Sequence, residues 1–129
     1  MDGVDPFDGH VWTLASGGDG ILEVNAVRFD PATCRVWVDL EERPRLPPKQ
    51  ARMLGYLMAN AGRVVSREEL MLRVWRHRTW TSTKTVDVHV QWLRRSLGDT
   101  AEPRRFLTTV WGRGYRFELG TAPTTATAP

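Results

Sequence analysis

Residues 83–97 read TKTVDVHVQWLRRSL and are followed by Gly98. Within this stretch Val86, Val90, Leu93 and Leu97 stand at i, i+4, i+7 and i+11, which a 3.6-residue turn gathers within about 60° of one another. The spacing predicts a helix from about Thr83 to Leu97 that buries this stripe and is closed by Gly98. The opposite face holds Lys84, Val88, Gln91 and Arg95, with Thr85 and Trp92 beside them. A solvated helix face is expected to mix Glu with Lys; this one carries a valine, a tryptophan and only basic charge. Such groups make chemical sense in a DNA major groove, where an apolar group meets a thymine methyl, Gln meets adenine and Arg meets guanine, or either meets phosphate. The same face is equally explained if Val88 and Trp92 pack on another element of the protein.

Downstream of Gly98 a polar stretch, GDTAEPRR, leads into Phe106-Leu107-Thr108-Thr109-Val110, Trp111-Gly112-Arg113-Gly114 and Tyr115-Arg116-Phe117. Two β-prone runs flanking a Gly-bounded Arg predict a hairpin over about residues 108–117 with Arg113 at its tip. A hairpin that follows a helix with a basic outer face is a wing. Gly112-x-Gly114 is a poor phosphate cradle, because it opens no helix.

Upstream, Ser66-Arg67-Glu68-Glu69 reads as a capping box, in which the Ser66 hydroxyl and the Glu69 carboxylate satisfy each other's free amides. It opens a helix through Leu70, Val74 and Trp75, after which a loop spans 76–82. Ala51, Leu54, Leu57, Met58 and Ala61 recur at helical spacing after Pro48, a proline at a first helical position, and before Gly62 as a stop. Between these helices Arg63-Val64-Val65 is extended. Before them come short strands: Ile21, Glu23 and Val24, then Val27 and Phe29, then residues 35–40, with a turn at Asp30-Pro31. Residues 10–15 (HVWTLA) add a further strand. The first third is therefore expected to be a small antiparallel sheet serving as a platform.

The chain has 129 residues, 41% hydrophobic and 26% charged, enough for one domain and too few for two. Residues 1–9 and 16–20 are Gly- and Asp-rich, so the N-terminal segment 1–20, apart from any strand at 10–15, is expected to be disordered, as is the apolar-poor tail 120–129, leaving a folded domain at 21–119. Of 18 basic residues only Lys49 and Lys84 are lysines; an arginine fork suits phosphate or carboxylate, and a GC-rich genome gives the same bias. The net charge of +3 is unevenly spread: residues 1–62 carry 6 basic and 9 acidic side chains, residues 63–129 carry 12 and 6. The C-terminal half is thus the one to meet a polyanion, or else a solvated charged surface.

Cys34 is the single cysteine, so neither an internal disulfide nor a cysteine-rich zinc site is expected. No apolar signal region or long apolar run occurs, which points to the cytoplasm and away from the membrane. Asp87 and His89 lie about 200° apart on a helix and cannot form a dyad or a metal pair there. With three scattered histidines, no catalytic residue, metal site or cofactor is expected, and the chain does not read as an enzyme.

Several spaced motifs then align with a known family. Leu46-Pro47-Pro48-Lys49, Arg63-Val64-Val65-Ser66-Arg67-Glu68-Glu69-Leu70, Val74-Trp75 and Thr85-Val86-Asp87-Val88-His89-Val90 are four of them. Leu93-Arg94-Arg95-x-Leu97 and Thr109-Val110-x-Gly112-x-Gly114-Tyr115-x-Phe117 complete the set. In this order they resemble the OmpR/PhoB-type winged-helix DNA-binding domain, the output domain of bacterial two-component response regulators, over about residues 20–119.

The resemblance implies an α+β winged helix-turn-helix: an N-terminal antiparallel sheet, three helices and a C-terminal β-hairpin wing. It implies sequence-specific binding of double-stranded DNA and transcriptional regulation, with the third helix in the major groove and the wing at the minor groove. By position, Lys84, Thr85, Val88 and Trp92 would face bases. Arg67, Trp75, His89, Gln91, Arg94, Arg95, Thr109 and Tyr115 would meet the sugar-phosphate backbone, and Trp111 and Arg113 the minor groove. The loop 76–82 would touch RNA polymerase, with Trp80 as the residue to watch; Trp80 equally reads as a loop aromatic folded onto the core. Binding to direct repeats is implied, by a monomer in solution that assembles head to tail on DNA.

The chain also departs from the pattern. Family members often carry arginine at the positions of Gln91, Trp92 and Trp111. Arg113 is placed to stand in at the wing, whereas Trp92 replaces a guanine-reading fork with an apolar plate, implying an A·T-rich or shape-dependent target. Pro47 stands where a capping Thr or Ser is usual. A receiver domain commonly precedes such a domain, and 129 residues leave no space for one; the chain is expected to be a separated output domain or to act without a receiver. The competing reading is a winged-helix interaction module that docks a protein on the Val88/Trp92 face.

Overall fold

The computed structural model describes residues 20–75 and 83–120. The expected strand at 10–15, the loop 76–82 with Trp80, and the terminal segments other than Gly20 and Gly120 lie outside the described residues.

The first sheet is antiparallel in the order β1 (Leu22–Val24), β2 (Val27–Asp30), β3 (Arg35–Val38), β4 (Glu41–Arg43). Period-2 alternation puts Leu22, Val27, Phe29, Val36 and Val38 on one buried face, with Val27 opposite Val38 and Phe29 opposite Val36. On the other face the Arg35 fork donates to Glu42 at 2.9 and 3.1 Å and lies over the Trp37 ring. The strand expected over 35–40 stops at Val38. Asp39 and Leu40, at φ 54° and 70°, form instead a two-residue turn into β4, as Asn25 and Ala26 (φ 52° and 68°) do between β1 and β2. Positive φ at both central residues matches the right-handed twist of the strands, though it strains residues other than Gly, Asn and Asp. Both turns are tied down by one residue: Arg105 forks the Asp39 carboxylate at 2.9 and 2.8 Å, and its carbonyl accepts from Asn25 Nδ2 at 2.8 Å.

Three helical segments follow. α1 (Pro48–Ala59) begins after Pro47, which offers no side-chain cap, and buries Ala51, Met53, Leu54, Leu57 and Met58. α2 (Arg67–Leu70) is capped as expected by Ser66, whose hydroxyl accepts from the Glu69 amide at 3.0 Å. Two expectations are corrected here. The helix does not continue in α form to Trp75; Met71–Trp75 winds as a π turn. The second half of the capping box is also replaced, because the Glu69 carboxylate accepts from the Tyr56 hydroxyl and from Arg63 at 2.7 and 3.2 Å. The Arg63 guanidinium holds the Glu69 carboxyl below its ordinary range, and burial, reinforced by Glu69, pushes the Tyr56 phenol up.

α3 (Lys84–Leu97) buries Val86, Val90, Leu93 and Leu97 to 1% exposure or less and ends at Gly98 in the left-handed conformation. The chain then closes the second sheet, in the order β5 (Val64–Val65), β7 (Gly114–Phe117), β6 (Leu107–Val110). α1 meets β1, α3 and β7, so the helices lie around a core that both sheets share, with Phe106 stacked on Phe117 at 6.3 Å. The architecture is an α+β winged helix-turn-helix. Among the described residues no helix is long and apolar enough to cross a membrane.

One glycine fixes how the wing leaves the body. Gly114 begins β7 at φ 144°, and a Cβ there would overlap the Val65 carbonyl and the Ser66 Cα. Gly114→Ala is therefore expected to destabilise the fold by about 2 kcal/mol or more, with Gly112→Ala, which meets open space at φ 78°, costing less; urea denaturation of the two variants checks this order. Glu69 gives a pH signature. Its folded carboxyl titrates below its unfolded value, so its stabilisation is present above about pH 4.3 and is lost as pH falls through the lowered value. Thermal melts should show Glu69→Gln below wild type at pH 7, with the gap closing under acid conditions.

Candidate nucleic-acid interface

The outer face of α3 emerges as the sequence placed it. Lys84, Gln91 and Arg95 are exposed, Thr85 is half-buried, and Val88 and Trp92 are 44% and 45% exposed. The two apolar side chains are thus not absorbed into the core. Trp92 is steadied instead by an aromatic row: the His89 ring meets Trp75 edge-on at 4.9 Å and Trp92 at 5.0 Å. His89 Nδ1 lies 2.9 Å from the Thr85 carbonyl, an acceptor, which assigns the proton to Nδ1 and fixes the ring's orientation.

Two carboxylates absent from the sequence-based site hold this helix to its surroundings. Asp87 Oδ1 accepts from Arg67 Nε at 2.9 Å and from the Tyr115 hydroxyl at 2.6 Å, joining α2, α3 and β7 at one oxygen. Asp99, 3% exposed, accepts from the amides of Arg105, Phe106 and Leu107 at 2.7, 3.1 and 2.9 Å and so positions the start of β6. The only signals were an acid on the flank of a basic face and another just past a helix stop, and neither names its partners.

Arg94 and Tyr115 are corrected. Both were expected at the DNA backbone, yet Arg94 is 4% exposed. Its Nε and Nη2 donate to the Leu107 carbonyl at 3.1 and 2.9 Å, its Nη2 also to Thr109 Oγ1 at 2.8 Å, and its guanidinium lies over the Tyr115 ring. Burial lowers its pKa from the ordinary value, although an arginine stays charged all the same. Tyr115 is buried, and its hydroxyl proton goes to Asp87; burial, then Asp87, pushes its phenol up to about 12. Thr109 is half-buried and accepts from Arg94, while Arg67 is exposed and engages Asp87.

The wing turns over residues 111–113, where the Arg113 amide donates to the Val110 carbonyl at 2.9 Å and Gly112 takes φ 78°. Trp111 is 87% exposed and Arg113 is exposed beside it. A helix presenting basic and apolar groups, clamped to a hairpin with an aromatic and a cation at its tip, defines a winged-helix nucleic-acid-binding domain.

Comparison with known proteins agrees. Residues 41–117 match the family described as transcriptional regulatory protein, C terminal. The chain is 41% identical over 104 residues to the sensory transduction protein RegX3 of Mycolicibacterium smegmatis, covering 81% of this chain and 45% of that one. The response regulator DrrB, a Thermotoga maritima OmpR/PhoB homolog, superposes with a TM-score of 0.68 at 28% identity, covering 82% of this chain and 48% of that one. The Klebsiella pneumoniae RstA DNA-binding domain, solved in complex with the RstA box, gives a TM-score of 0.68 at 27% identity, covering 76% and 96%. The chain belongs to the family of OmpR/PhoB-type C-terminal DNA-binding domains of transcriptional regulators. It spans less than half the length of the curated relatives named among its matches, 43% and 45% in two of them.

The division between buried and exposed arginines is measurable. Arg94→Ala should cost about 2 to 4 kcal/mol of stability by stranding the Leu107 carbonyl and emptying a buried site, whereas Arg95→Ala should fall within about 0.5 kcal/mol of wild type; chemical denaturation separates them. The phenol gives a second check. Because the folded pKa of Tyr115 is raised, the stabilisation from its neutral form is complete below about pH 10 and is lost as pH rises toward about 12. A phenolate absorbance titration of the folded protein should show a step near 12 that Tyr115→Phe removes.

Proposed function

We propose that this domain binds double-stranded DNA sequence-specifically in transcriptional regulation, with α3 in the major groove and the wing at the minor groove. The observation that carries the reading is the outer face of α3, where Val88 and Trp92 remain nearly half exposed among Lys84, Gln91 and Arg95. In this reading Lys84, Thr85, Val88 and Trp92 meet bases. Arg67, Trp75, His89, Gln91, Arg95 and Thr109 meet the backbone, and Trp111 and Arg113 meet the minor groove. Val88 and the Trp92 plate give apolar contact suited to thymine methyl groups, so the target is A·T-rich where they lie. The likeness to the family supports the finer parts: a cytoplasmic protein, monomeric in solution, binding direct repeats head to tail and touching RNA polymerase through the loop 76–82. The domain is taken as residues 21–119, and no catalysis is assigned to it.

The test begins with salt. Binding of a labelled duplex should weaken steeply between two salt concentrations, as expected for about 4 to 6 neutralised phosphates; a flat response would favour a protein-docking module instead. Selection from a random pool then separates roles. Arg95→Ala should weaken binding to all sequences alike, whereas Trp92→Ala should change the preferred sequence, and identical motifs for Trp92→Ala and wild type would refute base reading by Trp92.

A further inference from the structure

Among the described residues, Trp111 is the most exposed aromatic, and no contact among them accounts for it. Its indole is 87% exposed at the wing tip, on a turn held by the Arg113 amide and the left-handed Gly112. Apolar surface held in water forfeits stabilisation in proportion to its area, and a ligand that covers it returns that stabilisation. Arg113, two residues on, is exposed and cationic. Behind both, the base of the wing is locked to α3, through Tyr115 to Asp87 and through Leu107 and Thr109 to Arg94. An aromatic plate, a cation beside it and a stiff mount behind them are what it takes to press into a narrow anionic cleft. The minor groove of duplex DNA, about 6 Å wide, is such a cleft. An indole is one aromatic layer thick, comparable to the base-pair rise of about 3.4 Å, so it fills the gap left when a single base step opens.

We propose that Trp111 is a wedge: its indole enters partway between two adjacent base pairs from the minor groove, unstacks that step and bends the duplex, while Arg113 holds the groove wall. This rests on the DNA-binding reading above and goes beyond it, because what is selected under the wing becomes deformability rather than a hydrogen-bond pattern. The indole carries one N–H donor and no acceptor, and the minor groove offers a degenerate pattern, so base edges there discriminate little. Pyrimidine–purine steps open most readily and apolar wedges at such steps kink DNA. The wing should therefore favour TA or CA/TG beneath Trp111.

Duplexes enriched from a random pool by the 129-residue chain supply the probe. In one of them 2-aminopurine replaces each adenine of the bound site in turn, dyes at the two ends report the bend, and anisotropy reports binding. Wild type should bind, brighten 2-aminopurine several-fold at one step and shorten the end-to-end distance. Trp111→Ala should bind about tenfold more weakly, keep the major-groove part of the motif, and lose the brightening, the bend and the step preference. Trp111→Phe should retain part of each. Both variants should melt with wild type, since the side chain they alter lies in solvent. Binding by wild type without brightening at any adenine, or equal brightening by Trp111→Ala, overturns the wedge and leaves the DNA-binding reading standing. Failure of wild type to enrich any duplex overturns both.

Discussion

The buried guanidinium of Arg94 is the constraint around which α3 and the wing are arranged. A charge taken out of water costs several kcal/mol unless its donors are filled, and here the filling groups come from the wing: the Leu107 carbonyl, the Thr109 hydroxyl and the face of Tyr115. The helix and the hairpin therefore hold one relative position, because sliding either would strand the charge. Asp99, bound to three successive amides, begins β6 at the height where that carbonyl can be reached. Asp87 repeats the device in the first turn of α3, drawing in Arg67 and Tyr115.

Charge composition overstates how much cation is turned toward a ligand. The C-terminal half holds twice as many basic as acidic groups, yet Arg63, Arg67, Arg104 and Arg116 each bind a carboxylate, and Arg94 is interior. These arginines spend their charge within the fold, and the contrast between Arg94 and its neighbour Arg95 shows how finely the two uses are interleaved. Exposed ion pairs of this kind add little stability singly. What the longer-range ones add is geometric: Arg67–Asp87 sets α2 against α3 and Arg63–Glu69 ties the chain entering β5 to α2.

Much of this was legible in the sequence because periodicity survives without tertiary knowledge. The stripe Val86, Val90, Leu93 and Leu97 named the buried face of α3, and the glycine-flanked Arg113 named the wing. What escaped depends on partners distant in the chain. Arg94 lies on the flank of the buried stripe, and only the arrival of Leu107 and Thr109 decides that it turns inward. Residues 41–43, Glu-Glu-Arg, have no strand-like composition; they become β4 because β3 offers an open edge and Arg35 meets Glu42. Glu69 left its capping box because Tyr56 and Arg63, brought there by packing, offered better donors. The π turn at Met71–Trp75 leaves no mark in a hydrophobic pattern, yet it ends at the Trp75 that meets His89.

The fixed joint between α3 and the wing has one more consequence. A short stretch of B-form duplex, sequence aside, looks the same from either end, but a body with a helix on one side and a hairpin on the other does not. Held rigidly together, the two make the domain an arrow: in the proposed binding mode its contact with DNA has a front and a back, and a target read by both elements would carry a direction. In the proposed binding to direct repeats, a second copy in the same orientation would meet the rear of the first with its own front, and copies facing one another would need a different contact altogether.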